Sequence, residues 1–220
     1  QLPIIPHIYD SLKPLFGAYP DLVIDGELYN HSLRDDFNKI TSIVRKSKAK
    51  PEDLENSRNN IQYHVYDVYF KDLSEVDLEY RISFINDIIS QFDFVEVVDT
   101  QLVYTKERLD ELYAEYMLEG FEGQMVRKVN SVYENKRSKF LLKRKEFVDD
   151  EYEIVDIQSG VGNWTGKAKT IMFKKEDGTT FSSGLKGNME YAKELLENKD
   201  EYIGKMGTVR YQHLTPDGIP

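Results

Sequence analysis

Ten residues, Ile61 to Phe70 (IQYHVYDVYF), constrain this chain more than any other stretch. β-Branched and aromatic side chains crowd the run, and such residues lose rotamer freedom in a helix but pack well on a pleated surface. The run therefore reads as a strand, and a strand needs partners. Residues 21–24 offer one, an apolar run that ends in a turn at Asp25-Gly26 and restarts at Leu28-Tyr29. Residues 94–98, 123–129 and 140–145 read the same way. Helical spacing falls between them. Residues 8–12 read as a short helix. Leu33, Phe37, Ile40 and Val44 recur behind Ser32 as N-cap, and residues 77–91 repeat the pattern. Residues 105–119 form a helix with Thr105 as cap and Gly120 as its C-terminal stop. Residues 46–60 read as loop or exposed helix.

The texture changes after Phe147. An acidic break, Asp149-Asp150-Glu151, opens a series of short strands at 152–159, 169–174, 179–182 and 207–214, with one helix at 189–198. Short strands with one inserted helix predict a small Greek-key barrel of the oligonucleotide-binding type. The expected organisation is thus a first domain over 1–147 and a second over 148–220. The fold class is α+β, with antiparallel sheets and flanking helices followed by a β-barrel. The 15 Tyr and 11 Phe can build cores despite an apolar content of only 40%. No apolar run of about 18 residues is present, so no membrane span is expected. There is no secretory leader and no cysteine. A cytoplasmic protein is the expectation.

The net charge of −10 argues against a generic nucleic-acid coat. The distribution is more informative, since residues 127–145 hold eight basic residues and one acid. Such a seam can dock a polyanion, and a solvated surface run would look alike.

Three segments carry the chemistry. Asp25-Gly26-Glu27 suits a hairpin turn, and equally a Glu27 carboxylate set into a cleft for a divalent metal or a ribose hydroxyl. Glu122-Gly123 places a second carboxylate at a loop lip. Magnesium takes one or two protein carboxylates and completes its shell with water and phosphate. Lys143 and Lys145 are two apart, so on a strand they leave one face while Arg144 leaves the other. Two lysines on one face repel unless an anion lies between them, although edge strands also carry lysines against aggregation. Tyr66 reads as a core aromatic or as a ring for stacking on a purine. Lys175-Glu-Asp-Gly178 reads as a hairpin tip rather than a nucleophile site, because a nucleophilic lysine needs a buried or cationic surrounding. His31, His64 and His213 have no metal-ligand spacing and read as structural.

Taken in order, these segments resemble the adenylation and oligonucleotide-binding domains of ATP-dependent DNA ligases, members of the covalent nucleotidyltransferases, and within them the bacteriophage type. IDGEL matches motif III, YHVYDVYF motif IIIa, FEGQMVRK motif IV and LLKRK motif V. The resemblance implies Glu27 and Glu122 as Mg2+-linked carboxylates, Tyr66 as the adenine-stacking ring, and Lys143 and Lys145 as the catalytic phosphate contacts. The basic seam, with Arg127, Lys128, Arg137 and Lys139, would bind nucleic acid. The implied partners are ATP and nicked duplex DNA, the implied state a monomer, and the implied roles replication, repair and recombination in a bacterial or phage-infected cell. In the family a lysine takes AMP from ATP, AMP passes to the 5′-phosphate of a nick, and the 3′-hydroxyl displaces it.

Two departures stand out. No Lys-x-Asp-Gly precedes Asp25 in these 220 residues, and the basic motif VI is absent after Leu214. The expectation is a fragment that does not self-adenylylate. RNA ligases and capping guanylyltransferases share the early motifs and are the alternative enzymes. A non-catalytic nucleic-acid-binding module is the alternative outside catalysis.

Overall fold

The computed structural model describes residues 3–73, 75–215 and 217–220. The chain divides into two compact units between Arg144 and Lys145, close to the change of texture in the sequence.

The first unit is built on a three-stranded sheet of order β1-β2-β3 (Leu22–Tyr29, Gln62–Phe70, Val95–Val97). β1 and β2 are antiparallel, while β3 pairs parallel with β2. The sheet is therefore mixed, a correction to the antiparallel expectation. A parallel pair needs a crossover, and α4 (Leu78–Asp87) with the 3-10 turn after it supplies one. α1 (Pro6–Ala18) starts on a proline, whose missing N–H costs nothing in the first turn. It buries Ile8, Leu12 and Leu15 with Leu22, Val65, Val68, Ile85 and Ile89.

The turn expected at Asp25-Gly26 does not form, because β1 runs through it. Gly26 is required for another reason. A Cβ there would stand 2.6 Å from the His64 carbonyl oxygen and 2.8 Å from the Tyr63 ring, so the bare backbone lets β2 approach. Ser32 is not the cap it was expected to be. The Asn30 side chain accepts from the Ser32 N–H, a 3-10 stretch follows, and Asp36 caps α2 (Phe37–Val44). Ile40 and Ile43 are the buried face of α2, and Phe37 is exposed. Residues 51–60 are helical, as α3 (Pro51–Asn60). α5 (Lys106–Leu118) carries the predicted Thr105 cap, and Gly120 beyond it adopts φ 86°. β4 (Gly123–Arg127) and β5 (Leu141–Lys145) form a separate two-stranded sheet.

The second unit is a four-stranded antiparallel sheet of order β8-β7-β6-β9 (Thr180–Gly184, Ala168–Lys174, Val148–Ser159, Met206–Tyr211). β6 is long enough to serve two neighbours, pairing with β9 over its first half and with β7 over its second. α6 (Met189–Glu197) lays Ala192 and Leu195 inward, and α7 (Lys199–Tyr202) follows it. Leu195 joins Ile154, Ile157, Phe173, Phe181 and Val209 in a small core.

Candidate active site

The site is organised by an irregularity that period-two reading does not reveal. Asp25 pairs with Asp67, but the next residue, Gly26, pairs with Val65. Tyr66 is the extra residue of a bulge in β2. Counted back from Val68, regular alternation would send Tyr66 to the core side, yet Val65 is buried there too, which the shift in register allows. The bulge instead puts Tyr66 and Asp67 together on the face opposite the core, which is what bulges do near functional sites. The Arg127 guanidinium lies 5.6 Å from the Tyr66 ring centre and donates to an Asp67 carboxylate oxygen at 2.8 Å, so one group reads both side chains.

Asp25 sits on that face. Tyr133 donates its hydroxyl to Asp25 Oδ2 at 2.8 Å. Burial pushes the Tyr66 hydroxyl pKa up to about 12, aided by the Asp25 charge and by a hydrogen bond to Asp25. Burial likewise raises Tyr63 to about 12, with Asp25 adding to it, and raises Tyr133 further. The Tyr133 ring stacks on Tyr69, centroids 4.5 Å apart.

Glu27 and Glu122 come from β1 and from the loop after α5, and the structure brings both toward Tyr29. The Tyr29 hydroxyl has a raised pKa, first through burial and then through the charges of Glu27 and Glu122. The connecting piece is His31. Its Nδ1 lies 3.2 Å from the Tyr29 hydroxyl and its Nε2 3.0 Å from the Glu119 carbonyl oxygen, which can only accept. Nε2 therefore carries the proton. The His31 ring also stacks on Phe121, centroids 4.4 Å apart. His31 thus ties the end of β1 to the loop that presents Glu122. Both carboxylates are exposed. Among the described residues no three His, Cys, Asp or Glu side chains form a metal-binding group. The pair suits an ion whose shell is completed by water and phosphate, rather than a cage made wholly of protein.

Arg127, expected as a nucleic-acid contact, is partly buried and turned toward β2. Its guanidinium donates to the Tyr66 carbonyl oxygen at 2.9 Å as well as to Asp67. Asp67 is held from the other side by Arg81, Nε to Oδ1 2.7 Å and Nη2 to Oδ2 3.2 Å, and by the Val68 N–H. No sequence signal marked Asp67 or Arg81, because an ion pair fourteen residues apart has no local pattern.

The remaining seam is exposed. Lys128 and Lys139 both lie 5.1 Å from the centre of the Phe140 ring, and Arg137 is exposed. On β5, Arg144 turns to α5, where it donates to Asp110 at 2.6 Å and covers the Tyr113 ring at 4.2 Å. Strand alternation then sends Lys143 to the opposite, exposed side. Lys145 opens the second unit and donates to Gln212 Oε1 at 3.1 Å. Lys175-Glu-Asp-Gly178 is the β7–β8 turn. Lys175 N–H donates to the Thr179 carbonyl, Gly178 has φ 85°, and Lys175 Nζ pairs with Asp177 at 3.2 Å.

Comparisons with known proteins place the chain in a family. Over 211 residues the chain is 24% identical to the DNA ligase of Enterobacteria phage T4, an overlap of 90% of this chain and 43% of that protein. It is 28% identical over 236 residues to the DNA ligase of African swine fever virus (isolate Tick/South Africa/Pretoriuskop Pr4/1996), covering 98% of this chain and 53% of the viral protein. The chain thus spans about half the length of the curated relatives it matches. A solved structure of a Lig E DNA ligase aligns at TM-score 0.71 and 21% identity, over 90% of this chain and 73% of that one, and supports the fold. The profile of the ATP dependent DNA ligase domain matches residues 3–145, so the chain belongs to that family.

Proposed function

We propose that this chain is the catalytic-core portion of an enzyme that seals nicks in duplex DNA through enzyme–AMP and DNA–adenylate intermediates, acting as a monomer. The observation that carries this reading is the gathering of Asp25, Glu27, Tyr66 and Tyr29 on one sheet face, with Glu122 tethered to it through His31. Tyr66 stacks on adenine. Glu27 and Glu122 hold Mg2+ through exposed carboxylate oxygens, with Glu27 also in reach of a ribose hydroxyl. The ion, when bound, neutralises charge on the transferring phosphate. Lys143 and Lys145 contact the phosphate as point charges, and displacement at phosphorus depends mainly on such positioning and neutralisation. Lys128, Arg137 and Lys139 touch the DNA backbone.

The residues from 148 onward serve as an oligonucleotide-binding barrel following an adenylation domain over 1–147. The long β6 shared by two neighbours supports that reading, with four strands among the described residues where such a barrel uses five. DNA replication, repair and recombination are the processes such an enzyme serves, inside a bacterial or phage-infected cell.

Calorimetric titration of AMP with Mg2+ tests the site. The 220-residue chain binds AMP, and Tyr66→Ala loses a stacking contact of roughly 1–3 kcal/mol, about 5- to 150-fold in affinity. Intact mass after incubation with ATP and Mg2+ shows no added AMP, because Lys175 is a turn residue and no Lys-x-Asp-Gly precedes Asp25. Absence of AMP binding at millimolar nucleotide, or an added AMP that Lys175→Ala removes, would overturn the assignment.

A further inference from the structure

His31 opens the 3-10 turn (His31–Asp36) that joins β1 to α2, and this turn is fastened on two sides. On the sheet side, the Asn30 side chain accepts from the Ser32 N–H and donates to the Asn60 carbonyl oxygen, both at 3.0 Å. On the other side the turn lies against the exit of α5. His31 Nε2 donates to the Glu119 carbonyl oxygen at 3.0 Å, and the His31 ring stacks on Phe121 with 27° between planes. A Cβ on Gly120 would stand 2.7 Å from Arg34 Nε, so a second residue of the turn covers the same loop. Residues 119, 120 and 121 are thus each met by the turn, and Glu122 is the next residue before β4 begins at Gly123. Phe121 is also held by its own helix, since its N–H donates to the Tyr116 carbonyl oxygen at 3.0 Å. A carboxylate carried between a stacked aromatic residue and the first residue of a strand has little backbone freedom left to lose.

The remaining contact of His31 points back to β1. With the proton on Nε2, Nδ1 accepts from the Tyr29 hydroxyl at 3.2 Å. Tyr29 and Glu27 stand two apart where β1 pairs regularly with β2, so their side chains leave the same face of the strand. Both ring nitrogens of His31 are therefore engaged, one by the strand that carries Glu27 and one by the loop that carries Glu122. His31 meets the site as a support and not as a ligand of the ion.

We propose that His31 is a positioning residue for the divalent ion: by joining the Tyr29 hydroxyl to the Glu119 carbonyl and stacking on Phe121, it holds the loop on which Glu122 shares an ion with Glu27. The inference rests on the reading of Glu27 and Glu122 as the Mg2+ carboxylates. Mg2+ demands near-ideal octahedral geometry, so a carboxylate on a loosened loop loses affinity even when its own chemistry is intact.

The test is Mn2+ binding to the 220-residue chain with AMP present, read from the electron paramagnetic resonance signal of the free ion, since Mn2+ takes the same oxygen ligands. His31→Phe keeps a ring over Phe121 and removes both hydrogen bonds. It binds Mn2+ about fivefold more weakly, the weight of one ordinary hydrogen bond, while metal-free AMP affinity stays within about 1.5-fold of the parent. His31→Gln restores an N–H donor toward Glu119 and recovers part of the loss; a role through ring packing alone gives the reverse order, with Gln weaker than Phe, and overturns the proposal. In a Glu122→Gln background His31→Phe changes Mn2+ affinity by less than about 1.5-fold, because the group through which it acts is gone. An undiminished effect in that background, or His31→Phe binding Mn2+ as tightly as the parent, overturns the proposal and leaves the carboxylate reading standing. A parent chain that binds no Mn2+, or Glu122→Gln binding it as the parent does, overturns the carboxylate reading and this one together.

Discussion

Asp67→Ala is the sharpest perturbation of this fold. Its carboxylate accepts from the Val68 N–H at 2.8 Å, from Arg81 at 2.7 and 3.2 Å, and from Arg127 at 2.8 Å. The side chains involved are 8% exposed for Asp67, 3% for Arg81 and 15% for Arg127. Truncation leaves two guanidinium groups facing each other with little water. Breaking a buried ion pair from one side costs about 3–5 kcal/mol, a large part of a domain's total of about 5–15 kcal/mol. At about 2–4 °C per kcal/mol, the first unit melts about 6–20 °C lower. Urea unfolding followed by far-UV circular dichroism reads the change as a lower midpoint at constant slope. Trp164, the single tryptophan, lies in the second unit and reports that unit separately. Replacing all three partners by apolar side chains (Asp67→Leu, Arg81→Met, Arg127→Met) recovers most of the loss, because the cost lies in the stranded charges and not in the missing bridge. A loss below about 1 kcal/mol in Asp67→Ala would refute the reasoning.

Four further outcomes follow from the structure. Burial lowers the pKa of His7 and of His64, so the unfolded chain binds more protons near neutrality and stability falls as pH drops from about 7 to 5; urea midpoints across that range measure it, and His64→Gln flattens the slope. Asp110 and Asp149 have lowered pKa values through their arginine and lysine partners, and they lose their share only at more acid pH, below the ordinary value of 3.8, which keeps the two windows apart. Gly26→Ala drives a methyl group to 2.6 Å from the His64 carbonyl oxygen, and about 1–3 kcal/mol of stability is lost together with AMP affinity, read by urea unfolding and calorimetry. Lys139→Ala lowers the salt slope of DNA binding by about one unit, whereas Arg127→Ala lowers the melting temperature, since its guanidinium serves Asp67 and not a phosphate.

Much of the molecule was legible in the chain because the responsible forces are local. The β-branched and aromatic run at 61–70 could hardly be anything but β2, and Thr105 and Gly120 mark the ends of α5 through capping and a left-handed turn. The hairpin at Lys175–Thr179 followed from turn chemistry. The parallel pairing of β3 was not legible, because strand direction depends on the path of α4 over the sheet.

The bulge at Tyr66 was also invisible, since it exists only in the pairing of two strands about forty residues apart. The inward turn of Arg127 depends on Asp67, and the capture of Asp25 depends on Tyr133, 108 residues away. The sequence by itself determined which residue types were available for the site and on which elements they ride. Only the tertiary structure decided which charges are spent on one another and which face the cleft, because an ionic partner is chosen by distance in space, and that distance is set by the packing of the whole sheet.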